Sequence, residues 1–462
     1  MTAAIAARRK VDASVDRDKT TRYLYWWLLI ALAFEYARPG SFVSGVNTLR
    51  LNSVIPLSLV AVCLFAKNLR SLQEIWRDPI SKWVVAYFGL IALSMTHAEV
   101  TLYAYAVLTG VLGYVFFTFL IVRICTTFDR IRGVFAVLIL AHLFLLAMNP
   151  AVVLNPHMRN YITGATFLGD GNDFSLSVCI LIPMAIELAL ASKSRLRQLV
   201  AWAAVMVLVL AVIGTQSRGG TIGLLALGAY LWWRSPRKGL TLVLALFVVV
   251  AVFAYAPEEY FGRMRSISAY QEDGSAMGRI TAWKAAMRMC LDHPLLGVGA
   301  GMFPVSFGTY YKPDVHMPWL TAHSMYFLVV GELAVPGVIA FLTLVIGNIR
   351  ANQRVVRNRT AETTGSAARI FQEESHRVLQ LLSASMIGFA AAGAFLSVSY
   401  YPHVFVLSGL MISARRIAES SAPSGPGRSY PARKHLRYGT REIRPGAPTD
   451  VVRDVPRPRS GG

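Results

Sequence analysis

From residue 23 to residue 414 the chain alternates long apolar runs with short polar segments, most of them basic. Runs of about 20 apolar residues match a hydrocarbon core about 30 Å thick. No water is available at that depth to satisfy backbone N–H and C=O groups, so each run is read as a helix that satisfies its own. The pattern predicts an all-α integral membrane protein with about twelve transmembrane helices, at 23–37, 51–66, 80–97, 100–122, 132–148, 174–191, 199–213, 220–233, 239–256, 324–347, 378–398 and 403–414. Two connections on the same side are longer than turns, 149–173 and 257–323. The second predicts an amphipathic helix from Ala276 to Asp292, with Ile280, Trp283, Ala286, Met287 and Cys290 on one side. His293-Pro294 and the glycine run 297–301 mark its end.

The resulting organisation is a basic cytoplasmic N-terminus (1–22), a membrane domain of nine spans (23–256), a large outer loop (257–323), a membrane domain of three spans (324–414) and a basic cytoplasmic tail (415–462). The tail is rich in Pro, Gly, Ser and Arg, a composition that predicts disorder.

Composition agrees with the pattern. Hydrophobic residues make up 55% of the 462 residues and charged residues only 15%, against about 25% in soluble domains. The net charge of +21 would suit nucleic-acid binding if it lined one surface, but it sits at helix ends and in the tail. Placing the N-terminus inside and alternating leaves 36 of the 46 Lys and Arg on that side and ten on the other. That asymmetry is a topology signal and gives no support for a nucleic-acid partner. Residues 1–22 are polar, and the run after them reads as a first span and signal anchor. The basic tail reads as a contact for anionic membrane lipids. Cys63 and Cys179 fall in spans, Cys125 near a span end and Cys290 alone in the outer loop, so no structural disulfide and no Cys/His metal spacing is expected.

The few charged or titratable residues on the outer side are the candidates for chemistry. Arg218 stands in Gly214-Thr215-Gln216-Ser217-Arg218-Gly219-Gly220, a connection too short to leave the membrane surface. From the residues alone it reads either as an arginine snorkelling to headgroups or as a guanidinium gripping a phosphate through paired hydrogen bonds. Arg279 opens the amphipathic helix in Gly278-Arg279-Ile280-Thr281-Ala282-Trp283, where a solvated helix residue is the simpler reading. His323, in Ala322-His323-Ser324-Met325-Tyr326, sits where the large loop meets the next span. It is either an interfacial structural residue or a general base. Glu332 lies nine residues on, inside a span, where a carboxylate is costly. Gly297-Val298-Gly299-Ala300-Gly301 has no phosphate-loop context and reads as a hinge. Asp170-Gly171-Asn172-Asp173 reads as a helix cap rather than a cation loop. Glu35 and Arg38 are expected to pair, and His97 and His403 to lie at the interface.

Taken together, three passages resemble the O-antigen ligase and polymerase superfamily. They are Gln216-Ser217-Arg218-Gly219-Gly220; Gly278-Arg279-Ile280-Thr281-Ala282-Trp283 with Asp292-His293-Pro294-Leu295-Leu296-Gly297-Val298-Gly299; and Ala322-His323-Ser324-Met325-Tyr326 with Glu332 and Gly337. The third matches the ligase pattern His-[Asn/Ser/Gln]-x9-Gly-x-x-Gly except that Ala334 replaces the first glycine. The resemblance is clearest over 160–400, and the passage 164–173 is also similar to O-glycosylation ligases of the same superfamily.

The resemblance implies a GT-C-like fold and a multi-pass protein of the bacterial inner membrane with its site on the periplasmic face. It implies transfer of a glycan from an undecaprenyl-diphosphate donor to a glycan, lipid or protein acceptor, without cofactor or metal. Under it, Arg218 and Arg279 hold the diphosphate, His323 is the base, and Glu332, Ser217 and Asn172 are supporting residues. A polymerase extending a lipid-linked repeat shares fold and donor with a ligase. A transporter or flippase is the alternative of another class. It fits less well, because the distinctive polar residues gather at one face and no internal repeat is evident.

Overall fold

The computed structural model describes residues 19–43, 49, 51–66, 69–164, 167–265, 274–311, 321–358 and 366–420. Most of the expected N-terminal segment, the tail from 421, and 266–273 and 312–320 of the large loop lie outside the described residues. Among the described residues all regular structure is helical. In chain order the helices are α1 (Lys19–Ala37), α2 (Leu51–Phe65), α3 (Leu72–Trp76), α4 (Pro79–Ser94), α5 (Thr101–Ile124), α6 (Phe128–Met148) and α7 (Ala151–Leu154). Next come α8 (Gly171–Ala191), α9 (Arg195–Gly214), α10 (Arg218–Arg234), α11 (Lys238–Tyr255), α12 (Glu258–Arg265), α13 (Gly274–Asp292) and α14 (Phe303–Tyr311). The last are α15 (Met325–Leu342), α16 (Asn348–Asn358), α17 (Ser366–Gly393) and α18 (Pro402–Ser420).

Six stretches among the described residues are long and apolar enough to cross a membrane: Pro79–His97, Thr101–Ile124, Phe128–Met148, Gly171–Ala191, Arg195–Gly214 and Met325–Asn358. A shorter apolar helix covers Ser53–Phe65. The chain is a multi-pass membrane protein on this count. Helices α1, α10, α11, α17 and α18 stand where 23–37, 220–233, 239–256, 378–398 and 403–414 were read as spans.

Helix α8 is the centre of the bundle, with α6, α9, α10 and α17 packed around it. Its apolar window is 78% buried, against 28% for that of the neighbouring α9, whose Leu196, Leu199 and Val200 face outward. Apolar side chains left outward on peripheral helices suit a hydrocarbon surround, where they cost nothing. Close packing around α8 depends on glycines of α10. A Cβ at Gly220 would fall 1.6 Å from Ser175 Oγ, and one at Gly223 would fall 2.9 Å from Ala392 Cβ.

A second, smaller core sits beside the main one. It joins α13, α14 and the first part of α15 through Ala282, Ala285, Ala286, Met289, Phe303, Phe307, Ala322 and Leu328. The amphipathic helix is thus present, starting at Gly274, but its buried face differs from the expected one. Ala282, Ala285, Ala286 and Met289 take that face, with Met289 against Gly331 of α15, while Met287 is exposed.

Helix α15 is broken within itself. Ala334 adopts φ 49° and ψ −150°, and Pro336 has no N–H to return to the carbonyl of Glu332. The orphaned carbonyls of Gly331 and Glu332 are taken by the N–H groups of Val298 and Gly299, each at 3.0 Å. Gly297, Gly299 and Gly301 all have positive φ, and a Cβ at Gly297 would fall 2.4 Å from the backbone of Glu332. The glycine run is therefore a strap bonded to the break in α15.

Charged residues buried near one end of the bundle hold the helices together. Arg415 donates to both carboxylate oxygens of Asp78, at 2.8 and 3.1 Å, and to Asn348 and Asn352. Helix α18 accordingly runs past 414 to Ser420. Glu187 is fully buried and accepts from Arg132 and Arg377, at 2.8 and 2.7 Å. Arg38 pairs with Glu35 at 2.8 Å, as the sequence suggests. His403 differs from its interfacial reading. It is 2% exposed among Tyr36, Phe167 and Tyr401, contributed by segments far apart in sequence.

Candidate functional site

The site residues stand at the end of the bundle where α8, α10 and α15 begin and α17 ends. The start of α10 is shaped by three residues. Gln216 turns the chain with φ 51° and ties it to the 149–170 connection by donating to Pro156 O at 2.7 Å. Ser217 is buried and caps the helix, its Oγ accepting from Gly220 N–H at 3.0 Å. Arg218, half-buried, is the first helical residue, and its Nε donates to Arg263 O at 3.0 Å. That carbonyl belongs to α12, which also meets α10 through Tyr260 and Thr221, whose hydroxyls are 3.0 Å apart. Beside α12 an apolar groove of about 580 Å³ is lined by Phe253, Phe261 and Met264, with Glu258 at its polar edge.

The start of α8 carries the acidic cap. Asp170 Oδ1 accepts from Asn172 N–H at 2.9 Å, from Asn172 Nδ2 at 3.0 Å and from Arg159 at 3.3 Å. Asn172 is thus engaged with its own cap. Asp173, which the sequence reading left within the cap, accepts from the Tyr401 hydroxyl at 3.3 Å. No motif spacing signals that pair, since its members are 228 residues apart.

The start of α15 carries His323, half-buried and with φ 46° in the left-handed region. Ser324 caps the helix by accepting from Phe327 N–H at 3.5 Å. Two residues earlier, Thr321 donates to Ser397 Oγ at 2.8 Å. Among the described residues the imidazole makes no hydrogen bond. Burial and, next, the Arg279 guanidinium hold it below its ordinary value, against an upward pull from the Asp170 carboxylate. An imidazole kept neutral in this way is ready to accept a proton.

These elements converge. Gly171 packs on Thr215, so the starts of α8 and α10 are adjacent. Gly219 packs on Ala392 and Phe395, and Gly393 on Met325, so the end of α17 lies against the starts of both α10 and α15. Arg279 and His323 lie within reach of each other's field. The segment that Gly219 meets also carries Ser397, which accepts from Thr321, so the start of α10 and the turn before His323 share a neighbour. The starts of α8, α10 and α15 thus gather at one end of the bundle, with Arg218 and the carboxylates of Asp170 and Asp173 among them.

Glu332 lies inside α15. It is 1% exposed, and its Oε1 accepts from Phe303 N–H at 2.8 Å at the start of α14. It secures the start of α14 beside the glycine strap. Among the described residues no group of His, Cys, Asp and Glu is arranged to hold a metal ion.

Residues 203–342 match the family model of O-antigen ligase. The stretch contains Arg218, Arg279, His323 and Glu332 and leaves Asn172 outside it. It supports the O-antigen ligase/polymerase superfamily reached from the three motifs. No curated protein matches the chain.

Proposed function

We propose, from the O-antigen ligase match over residues 203–342, that the chain is a glycosyltransferase acting on a polyprenyl-diphosphate-linked glycan at the outer face of the bacterial inner membrane. The observation that carries this reading is the partly accessible imidazole of His323, held below its ordinary value by burial and next by the nearby Arg279 guanidinium. Arg218 and Arg279 bind the donor diphosphate and offset the charge that grows on it as the glycosidic bond breaks. His323 takes the proton from the acceptor hydroxyl as its oxygen attacks the anomeric carbon. One C–O bond forms as the other breaks, the diphosphate departs with the bonding pair, and the configuration inverts. Two guanidinium groups supply the positive charge the leaving group needs, so the scheme uses no metal. The apolar groove beside α12 is suited to the first isoprene units of the donor, because α12 also supplies the carbonyl that anchors Arg218.

Product analysis in purified membranes with a lipid-linked glycan and candidate acceptors tests the reading. Expected is glycan joined to an acceptor with release of polyprenyl diphosphate. A single glycan on a separate acceptor identifies a ligase, and a lengthening lipid-linked chain identifies a polymerase. Absence of either product from active membranes that carry the donor would sink the proposal.

A further inference from the structure

Trp283 belongs to the second motif but has no part in the proposed reaction. It stands four residues after Arg279, so the two share a face of α13 one turn apart. The indole Nε1–H donates to Ala322 O at 3.0 Å. The ring stacks on Phe327, with centroids 4.9 Å apart and planes 10° apart. These contacts fall on either side of His323, one just before it and one four residues after. The residue between them is held at φ 46°, a conformation that costs a residue with a Cβ on the order of 1–3 kcal/mol and persists only where its surroundings impose it.

We propose that Trp283 is a positioning residue that clamps the turn carrying His323 and so fixes the base against Arg279 on the same face of α13. The inference rests on the glycosyl-transfer reading for its purpose, and on the two contacts for its geometry. The charged groups acting on the imidazole are Arg279 from α13 and Asp170 from the start of α8. A loosened clamp lets His323 lose burial and move away from Arg279, and the imidazole then rises toward its ordinary value.

The test compares the full-length wild type with Trp283→Phe and Phe327→Leu in membranes. Trp283→Phe keeps a stacked ring and removes the donor to Ala322, whereas Phe327→Leu keeps the donor and removes the stack. Two quantities are measured: transfer from a polyprenyl-diphosphate-linked glycan, and the pH dependence of His323 carbethoxylation by diethyl pyrocarbonate, read by peptide mass spectrometry. Expected for Trp283→Phe is a loss of about tenfold in kcat, the scale of a small misplacement of a reacting group, with the donor KM nearly unchanged. The midpoint of His323 modification should move to higher pH in both variants. An unchanged midpoint in both overturns the clamp, whatever happens to transfer. A shifted midpoint in a protein whose wild type transfers nothing keeps the clamp and rejects the glycosyltransferase.

Discussion

At the scale of single residues, His323 decides the proposed chemistry. Replacing it with Gln preserves size and polarity but removes the proton acceptor, so transfer should fall by roughly 100-fold or more while donor affinity changes little. Near-normal transfer by the mutant would end its role as base. The pH profile has a definite sign. A base works unprotonated, so the rate is lost as pH falls through the pKa of its imidazole. Because burial and Arg279 lower that pKa, the acid limb of the wild type should lie below the ordinary imidazole value of about 6.5. An acid limb above that value would contradict the arrangement. Arg218→Lys should restore only part of what Arg218→Ala loses, because an ammonium cannot reproduce a guanidinium's paired contacts or its Nε bond to Arg263 O. Full activity in Arg218→Ala would remove it from the site.

At the scale of elements, the broken α15 explains the one departure from the ligase pattern. The pattern asks for glycine at 334, and Ala334 occupies a positive-φ conformation that glycine adopts without strain. Ala334→Gly should therefore stabilise the protein, by about 1 kcal/mol, seen as a higher unfolding temperature in detergent. A lower temperature would mean that the torsion is not strained. Gly297→Ala should do the opposite, on the order of 2 kcal/mol or more, since it adds strain at φ 63° and a contact with the backbone of Glu332. Gly308→Ala, in open space on α14, serves as a control and should be neutral.

These elements also show where the sequence stops being informative. Apolar periodicity located the helices, and a run of three glycines was legible as a hinge. What the hinge holds was not, because its partners are backbone carbonyls more than 30 residues away, and such bonds leave no side-chain signature. The motifs picked out Arg218, Arg279 and His323 as types in a pattern. The engagement of Glu332 with Phe303 N–H, the burial of His403 and the grip of Trp283 on Ala322 depend on tertiary neighbours that no local spacing encodes.

At the scale of the whole molecule, charge marks the two ends differently. The end opposite the site is fastened by buried ion pairs, Arg415–Asp78 and Glu187 with Arg132 and Arg377. Asp78→Ala removes a helix cap and strands a buried guanidinium, so it should cost about 3–5 kcal/mol of stability, measured by denaturant titration in detergent. A loss under about 1 kcal/mol would mean that water reaches Arg415. Cysteine labelling beside Arg218, Arg279 and His323 should place all three on the non-cytoplasmic side, and cytoplasmic labelling near any one would divide the site.

The break at Ala334 has a mechanical consequence. A continuous helix transmits bending from one membrane surface to the other as a stiff rod. Here the rod is two levers meeting at one residue, and the glycine strap fastens the joint to the second, smaller core. Bending at that joint would move the second half of α15 against the first, while the first half stays packed with α13 and α14. Flexing of α15 would therefore fall on the torsions of Ala334 and leave the contacts around the His323 turn in place.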